Sequence, residues 1–350
     1  MLVLLVGLGS LQAALIAQTS TVTIGIDDLF DPAGDETPVL PPELAQFTTT
    51  SNGPPLPFDL VPSSASEINR LVAARIELPA GIGGLRSARL RGRVQPSSST
   101  SQTAGDLIIL AAITDPNVAV CDLPRAAFYF SSAPPAPTPS CLAQPDIAIN
   151  LGFAGWGAGG PAQLFDIDLG AALVECPSTC SAGTALELLA SEGFIDVLVG
   201  DETGVDFLEL EYEAVGAVTC DDLSVNSTGR VGRIALVGST SIGQNDLRLR
   251  GTDFPSTQFG LVAMGRNAQS VPAGDLGPCL ASPIGRGPVV STDSAGDLGL
   301  ALDLSMLAQP LGPVGAVAGE TWIFQYWHRD LPSTDPAYRF SRAVEVVVTP

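Results

Sequence analysis

Ser87-Ala88-Arg89-Leu90-Arg91-Gly92-Arg93-Val94 reads as a strand, and that reading decides the fold. Ala88, Leu90 and Val94 fall on one side; Arg89, Arg91 and Arg93 fall on the other. A period of two gives a strand one dry face and one wet face. The pattern recurs along the chain. Phe165, Ile167 and Leu169 alternate with Asp166 and Asp168; Leu208, Leu210 and Tyr212 alternate with Glu209, Glu211 and Glu213. Leu247 and Leu249 alternate with Asp246, Arg248 and Arg250. Half-buried strands of this kind build antiparallel sandwiches. Further strands are predicted over 21–26, 71–78, 107–113, 195–199, 233–237, 260–264, 322–327 and 343–348. One helix is predicted over 184–190, with Thr184 as its N-cap.

Working outward, residues 31–62 are Pro-rich and read as loop, as do the polar tract 97–103 and the Pro-rich 132–140 (SAPPAPTPS). Residues 214–219 are small and apolar and mark a boundary between modules. Charge supports the division: up to residue 215, 25 acidic residues face 7 arginines, a balance of −18; beyond it 12 face 9, a balance of −3. The expected fold is all-β, with two antiparallel, jelly-roll-like β-sandwich domains over 18–215 and 216–350.

Residues 2–17 are uncharged and mostly apolar, shorter than the roughly 20 residues of a membrane span. They read as the core of a signal peptide over 1–17, and place the mature chain in secretion or at the cell surface, without a membrane span. Cys121, Cys141, Cys176, Cys180, Cys220 and Cys279 are even in number and read as disulfides of an exported chain. Their spacing favours the pairs Cys121–Cys141, Cys176–Cys180 and Cys220–Cys279. The net charge of −21 argues against a nucleic-acid partner, which needs a basic surface.

All 16 basic residues are arginine, and His328 is the one histidine. A Schiff-base lysine and a histidine-rich metal site are therefore absent, and a Ser-His-Asp arrangement would have to run through His328. Gly155-Trp156-Gly157-Ala158-Gly159-Gly160 fits a dinucleotide pattern, but Pro161 and a strand follow where a helix is required, so it reads as a loop. Asn226-Ser227-Thr228 is a formal glycosylation sequon that reads better as a turn. Asp166/Asp168 and Glu209/Glu211 are carboxylate pairs on a wet strand face, where solvation explains them without chemistry. On a strand over 322–328, Trp322, Phe324, Tyr326 and His328 share one face, and Ile323, Gln325 and Trp327 share the other. The first set reads as core, with Arg329 and Asp330 fixing the following turn by a salt bridge. Trp327 and Arg329 are the candidates for a ligand surface.

Residues 220–350 resemble a secreted β-rich module of unknown function found at the C-terminus of many proteins of environmental bacteria. The landmarks are Cys220, Asn226-Ser227-Thr228-Gly229, Asn245-Asp246-Leu247, Phe259-Gly260, Cys279-Leu280, Ile284-Gly285-Arg286, and Gly319-Glu320-Thr321-Trp322 running on to Trp327-His328-Arg329-Asp330. Ala281-Ser282 stand where that module has glycines. Residues 70–213 resemble exported jelly-roll modules through Phe194–Val199, the turn 200–204 and Val205–Leu208. These resemblances imply fold and export, and no activity.

The resulting expectation is an exported, non-catalytic protein of adhesion, matrix or scaffolding, its partner a glycan or extracellular matrix. The alternative is a carbohydrate-binding or carbohydrate-active protein, for which an exposed coplanar aromatic pair beside carboxylates would speak, whereas buried tryptophans would favour scaffolding. No organic cofactor is expected. A structural calcium is the candidate metal, with Asp27, Asp28 and Asp31 after the first strand and Asp201 and Asp206 around the last strand of the first domain. Calcium takes oxygen ligands of this type, and first and last strands lie close in a sandwich.

Overall fold

The computed structural model of the chain describes residues 19–31, 38–64, 67, 70–97, 106–119, 122–130, 148–175, 183–200, 203–220, 225–269, 277–331 and 338–350. The apolar start, the tracts 98–103 and 132–140, Cys121, Cys141, Cys176, Cys180 and Asp201 lie outside the described residues.

The first half carries β1 (Thr19–Gly25), α1 (Pro42–Asn52), β2 (Val72–Glu77), β3 (Gly84–Pro96), β4 (Leu107–Ala111), β5 (Arg125–Tyr129), β6 (Ala148–Asn150), β7 (Gln163–Asp168), β8 (Leu173–Val174), β9 (Gly183–Thr184), α2 (Ala185–Glu192), β10 (Phe194–Gly200) and β11 (Thr203–Ala214). The second half carries β12 (Ala217–Cys220), β13 (Arg233–Val237), β14 (Arg248–Thr252), β15 (Phe259–Gly265), β16 (Gly285–Ser291), β17 (Leu298–Ala301), β18 (Thr321–Arg329) and β19 (Tyr338–Val347). The fold is all-β and sandwich-like. Among the described strands every ladder is antiparallel except β3–β13 and β5–β6.

In the first half, β1, β11, β3 and β7 form one layer and β2, β10, β4, β5 and β6 the other. Leu90, Val94, Phe165 and Leu210 from the first meet Ile76, Ile108, Phe128 and Val197 from the second in one core. The arginines of β3 face out, as the alternation requires. Arg91 bonds Glu211 at 2.8 Å, and Arg89 bonds Asp166 at 2.9 Å, so the carboxylate pairs are rungs of a surface charge ladder. The second layer is largely apolar on both faces, with Arg75 and Asp196 paired at 2.7 Å within it. Its outer side is covered by α1, whose Leu44 and Phe47 pack on Ala73, Ile109 and Leu198.

That helix corrects the expectation of loop over 31–62. Pro42 sits in its first turn, where a missing N–H costs nothing, so the proline that reads as loop is here a helix start. The predicted helix at 184–190 is α2: Thr184 caps it, and Glu187 completes a capping box.

In the second half, β13, β14 and β17 face β12, β19, β18, β15 and β16. Trp322, Phe324, Tyr326, Val262 and Met264 fill the space between with Leu236, Leu249 and Leu298. The two halves share a sheet. β13 runs parallel to β3, pairing Leu236 with Gly84 and Val237 with Leu85, so the ladder crosses the sequence boundary near residue 215. A Cβ at Gly84 would lie 2.0 Å from the Leu236 carbonyl oxygen, so this junction demands glycine.

Candidate functional site

β18 sorts its side chains as the sequence indicates. Trp322, Phe324, Tyr326 and His328 point into the core and are fully buried. His328 stacks on Tyr326 at 5.8 Å and meets the edge of Phe254 at 5.0 Å. Its Nδ1 lies 3.0 Å from the Arg329 carbonyl oxygen, and Nε2 is buried without a partner. Burial pushes the imidazole below the ordinary histidine range, so it is neutral core. The expected Arg329–Asp330 salt bridge does not form. Asp330 is buried and turns inward, accepting from the Ser227 N–H at 3.0 Å and facing Arg339 at 4.0 Å. Arg329 is left exposed because it points to the opposite face.

That opposite face is closed at one end and open at the other. Cys279, held by its disulfide to Cys220, lies on it. Gln325 fixes the segment there: its Oε1 accepts from the Cys279 N–H at 2.9 Å, and its Nε2 donates to the Ser341 carbonyl at 2.8 Å. Past this seal the sheet face opens into a groove of about 650 Å³. Its floor is Leu261 and Ala263, and its aromatic wall is Trp327, Tyr338 and Phe340. Trp327 and Tyr338 lie 6.0 Å apart at 48°, and Tyr338 and Phe340 6.3 Å apart at 87°. Phe259 and Val289 extend the apolar surface, at 58% and 68% exposure.

Arg286 lines the groove, opposite Ala263 in the ladder, and Arg329 stands opposite Tyr338. All 16 arginines lie among the described residues, and these two are the ones whose side chains make neither a hydrogen bond nor an ion pair there. In a chain with 37 carboxylates, two arginines on one face without an acid partner are the distinguishing feature of the site. No carboxylate is among the described residues of its lining. The pattern that would speak for a sugar site, a coplanar aromatic pair beside carboxylates, is not what stands here: the rings are tilted and lie beside guanidinium groups. Alternation reaches Trp327 and Arg329; Arg286 sits in Gly285-Arg286-Gly287-Pro288, which carries no strand pattern.

The acidic clusters of the first half do converge in part. β1 pairs with β11, Gly25 opposite Phe207, which brings the chain after β1 to Asp206. Carboxylate oxygens of Asp28, Asp59 and Asp206 lie within 4.8 Å of one another. Asp206 Oδ1 accepts from the N–H groups of Asp28 and Phe30, and Oδ2 from Arg93 Nη1 at 2.6 Å. Arg93 also bonds Asp27. Asp31 donates its N–H to Asp28 and stays exposed. Asp59 stands alone between Phe58 and Leu60 in the sequence, where nothing groups it with the other acids.

The other motifs resolve as turns. Asn226 Nδ2, the atom a glycan would need, donates to the Asp253 carbonyl at 2.7 Å, and Oδ1 accepts from the Thr228 hydroxyl. Gly155 and Gly159 take positive φ in a loop, and Trp156 between them bonds Asp106 at 2.8 Å.

No protein-family model and no curated protein sequence matches the chain. Among solved structures, a β-1,2-glucanase from Parabacteroides distasonis aligns at a TM-score of 0.21 and 9% identity. The alignment covers 79% of this chain and 30% of that one, and a likeness so low carries no inference about either fold or activity here. Among the described residues, no helix is long and apolar enough to cross a membrane.

Proposed function

We propose that this is an exported, non-catalytic binding protein whose C-terminal groove holds an acidic polysaccharide. The observation that carries the reading is the pair of unpartnered arginines, Arg286 and Arg329, beside Trp327, Tyr338 and Phe340. Aromatic rings stack on the apolar faces of sugars, and guanidinium groups pair with carboxylate or sulfate in a two-pronged geometry. The net charge of −21 opposes a polyanion at long range. At physiological salt that field is screened within about 8 Å, so the groove's own arginines govern contact. The non-catalytic part rests on His328 being buried on the other face and on a lining whose described residues include no carboxylate. Export rests on the apolar start and on the Cys220–Cys279 bridge, a bond that persists in oxidising compartments.

The test is affinity electrophoresis of the mature protein in polyuronate, sulfated galactan, neutral β-glucan and starch. Retardation by the acidic polymers, lost at least tenfold in Trp327→Ala, is the expected result. Equal retardation by neutral polymers, or none by any, would overturn the reading. Capture by a protein of the extracellular matrix with no glycan requirement would move the groove to adhesion through protein contact.

A further inference from the structure

A second cavity lies where the halves meet, between α2 and the sheet of β14 and β17. From this cavity we infer a second binding site: the cleft takes a small molecule carrying a primary ammonium group.

Its volume is about 180 Å³, room for roughly six waters at about 30 Å³ each, or for one small ring. The sheet supplies the polar wall. Arg250 stands opposite Gly299, and Gly251 opposite Leu298, which puts Thr252 beside Asp297 at the next position. Gly299 leaves room for the Arg250 guanidinium, whose Nη1 would lie 2.5 Å from a Cβ there. Thr252 is 7% exposed, lines the cleft, and its hydroxyl oxygen is buried without a hydrogen bond. An orphaned hydroxyl in a polar cleft is costly unless something fills the site.

Asp297 provides the second unmet group. The neighbouring acids are paired: Glu192 with Arg233 at 2.6 Å, Asp253 with Arg233 and Arg230, and Glu187 with Arg250 and Arg248. Asp297 has no guanidinium within 4.0 Å, and its carboxyl accepts no hydrogen bond among the described residues. Burial, with the charges of Asp293, Glu192 and Asp253 around it and only Arg250 opposing them, pushes its pKa up to about 7. Arg250, which also lines the cleft, is engaged by Glu187 at 3.7 Å and leaves Asp297 without an ion-pair partner of its own. An ammonium group offers three donors on one compact charge, which suits Asp297, the Thr252 hydroxyl and Glu192 together. Leu123 and Leu188 on the far wall suit the carbon body of the ligand. The cleft lies apart from the Trp327 groove and stands independently of it.

Titration calorimetry at pH 8 with cyclohexylammonium and with cyclohexanol tests the assignment, because the two differ in the charged group alone. The cation should bind at least tenfold tighter than the alcohol. Asp297→Asn should erase that preference, Thr252→Val should weaken binding of the cation several-fold, and Trp327→Ala should leave both unchanged. Equal affinities, no binding of the cation, or a preference that survives Asp297→Asn would overturn it.

Discussion

Arg286 on β16 and Arg329 on β18 project from the same sheet face, across β15, and neither meets a carboxylate among the described residues. Arg286 lies in the row of Ala263 and Gln325, and Arg329 stands four residues beyond Gln325. At about 3.3 Å per residue the two are about 13 Å apart along the strands, with the row of Trp327 between them. A polymer lying across Trp327 would reach both. If both contact anions, binding is salt-dependent through both. The slope of log affinity against log salt should fall in Arg286→Gln and again in Arg286→Gln/Arg329→Gln, measured between 50 and 500 mM salt. A slope unchanged in the double variant would remove the arginines from the binding surface.

Two tryptophans five residues apart should behave oppositely. Trp322 is fully buried, and its Nε1 donates to Glu320 at 3.2 Å. Trp322→Ala should cost about 3–5 kcal/mol, as large-to-small core changes do. Trp327 is half-buried at the rim of the groove, so Trp327→Ala should cost less than about 1.5 kcal/mol while abolishing binding. Denaturant unfolding of both variants decides this. A Trp327→Ala variant as unstable as Trp322→Ala would make Trp327 a packing residue.

Period-two alternation carries most of what the sequence reveals, because it records which face of a strand is wet. It locates β3, β7 and β11, and it separates Trp322 from Trp327 on β18. It says nothing of partners far along the chain. The β3–β13 pair that joins the halves depends on Gly84, an unremarkable glycine in the sequence. α1 is hidden because its prolines signal loop before its apolar face signals helix. Arg286 is hidden by Gly and Pro around it, and Thr252 and Asp297 become neighbours through a ladder that sequence spacing cannot show. Acidic clusters at Asp27–Asp31 and Asp206 are legible as clusters, but Arg93, the cation between them, reads as one more outward-facing arginine of β3.

Cys220 and Cys279 close a loop with a sequence separation of 59 and hold the cover over Ile323 and Gln325. Restricting an unfolded chain by a loop of that length stabilises the fold by about 4 kcal/mol. Cys220→Ser/Cys279→Ser should lower stability by roughly that amount and should also loosen the groove, since the seal at Gln325 borders it. Unfolding free energy and polysaccharide binding measured on the same variant check both. Full stability after the double substitution would show that the bridge holds no part of the fold.

The Asp297 carboxyl gives stability an unusual pH dependence. Its pKa is raised from 3.8 to about 7, so the folded state holds a proton that the unfolded state releases. Its favourable term is fully present below pH 3.8 and is lost as pH rises through 7. Asp297→Asn removes the charge and keeps the shape. The variant should melt higher than wild type at pH 8 and should lose that advantage at pH 4. Melting curves at the two pH values suffice, and an advantage equal at both would show that the charge of Asp297 is not strained in the fold.

Arg93 pairs with Asp27 and Asp206, and Asp206 in turn lies among the carboxyls of Asp28 and Asp59. Arg93 and a calcium ion would compete for the same oxygens, since Asp206 Oδ2 is held by Arg93 at 2.6 Å. Arg93→Gln leaves the buried Asp206 without its charged partner and should cost about 3–5 kcal/mol in EDTA. With the guanidinium gone, the carboxyl group should accept the ion. Millimolar calcium should then raise the melting temperature of the variant more than that of wild type, through the term RT ln(1 + [L]/Kd) for a ligand bound by the folded state alone. Melting curves of both proteins in EDTA and in calcium are the measurement. A variant that is destabilised and indifferent to calcium would show that these carboxylates form an arginine site and not a cation site.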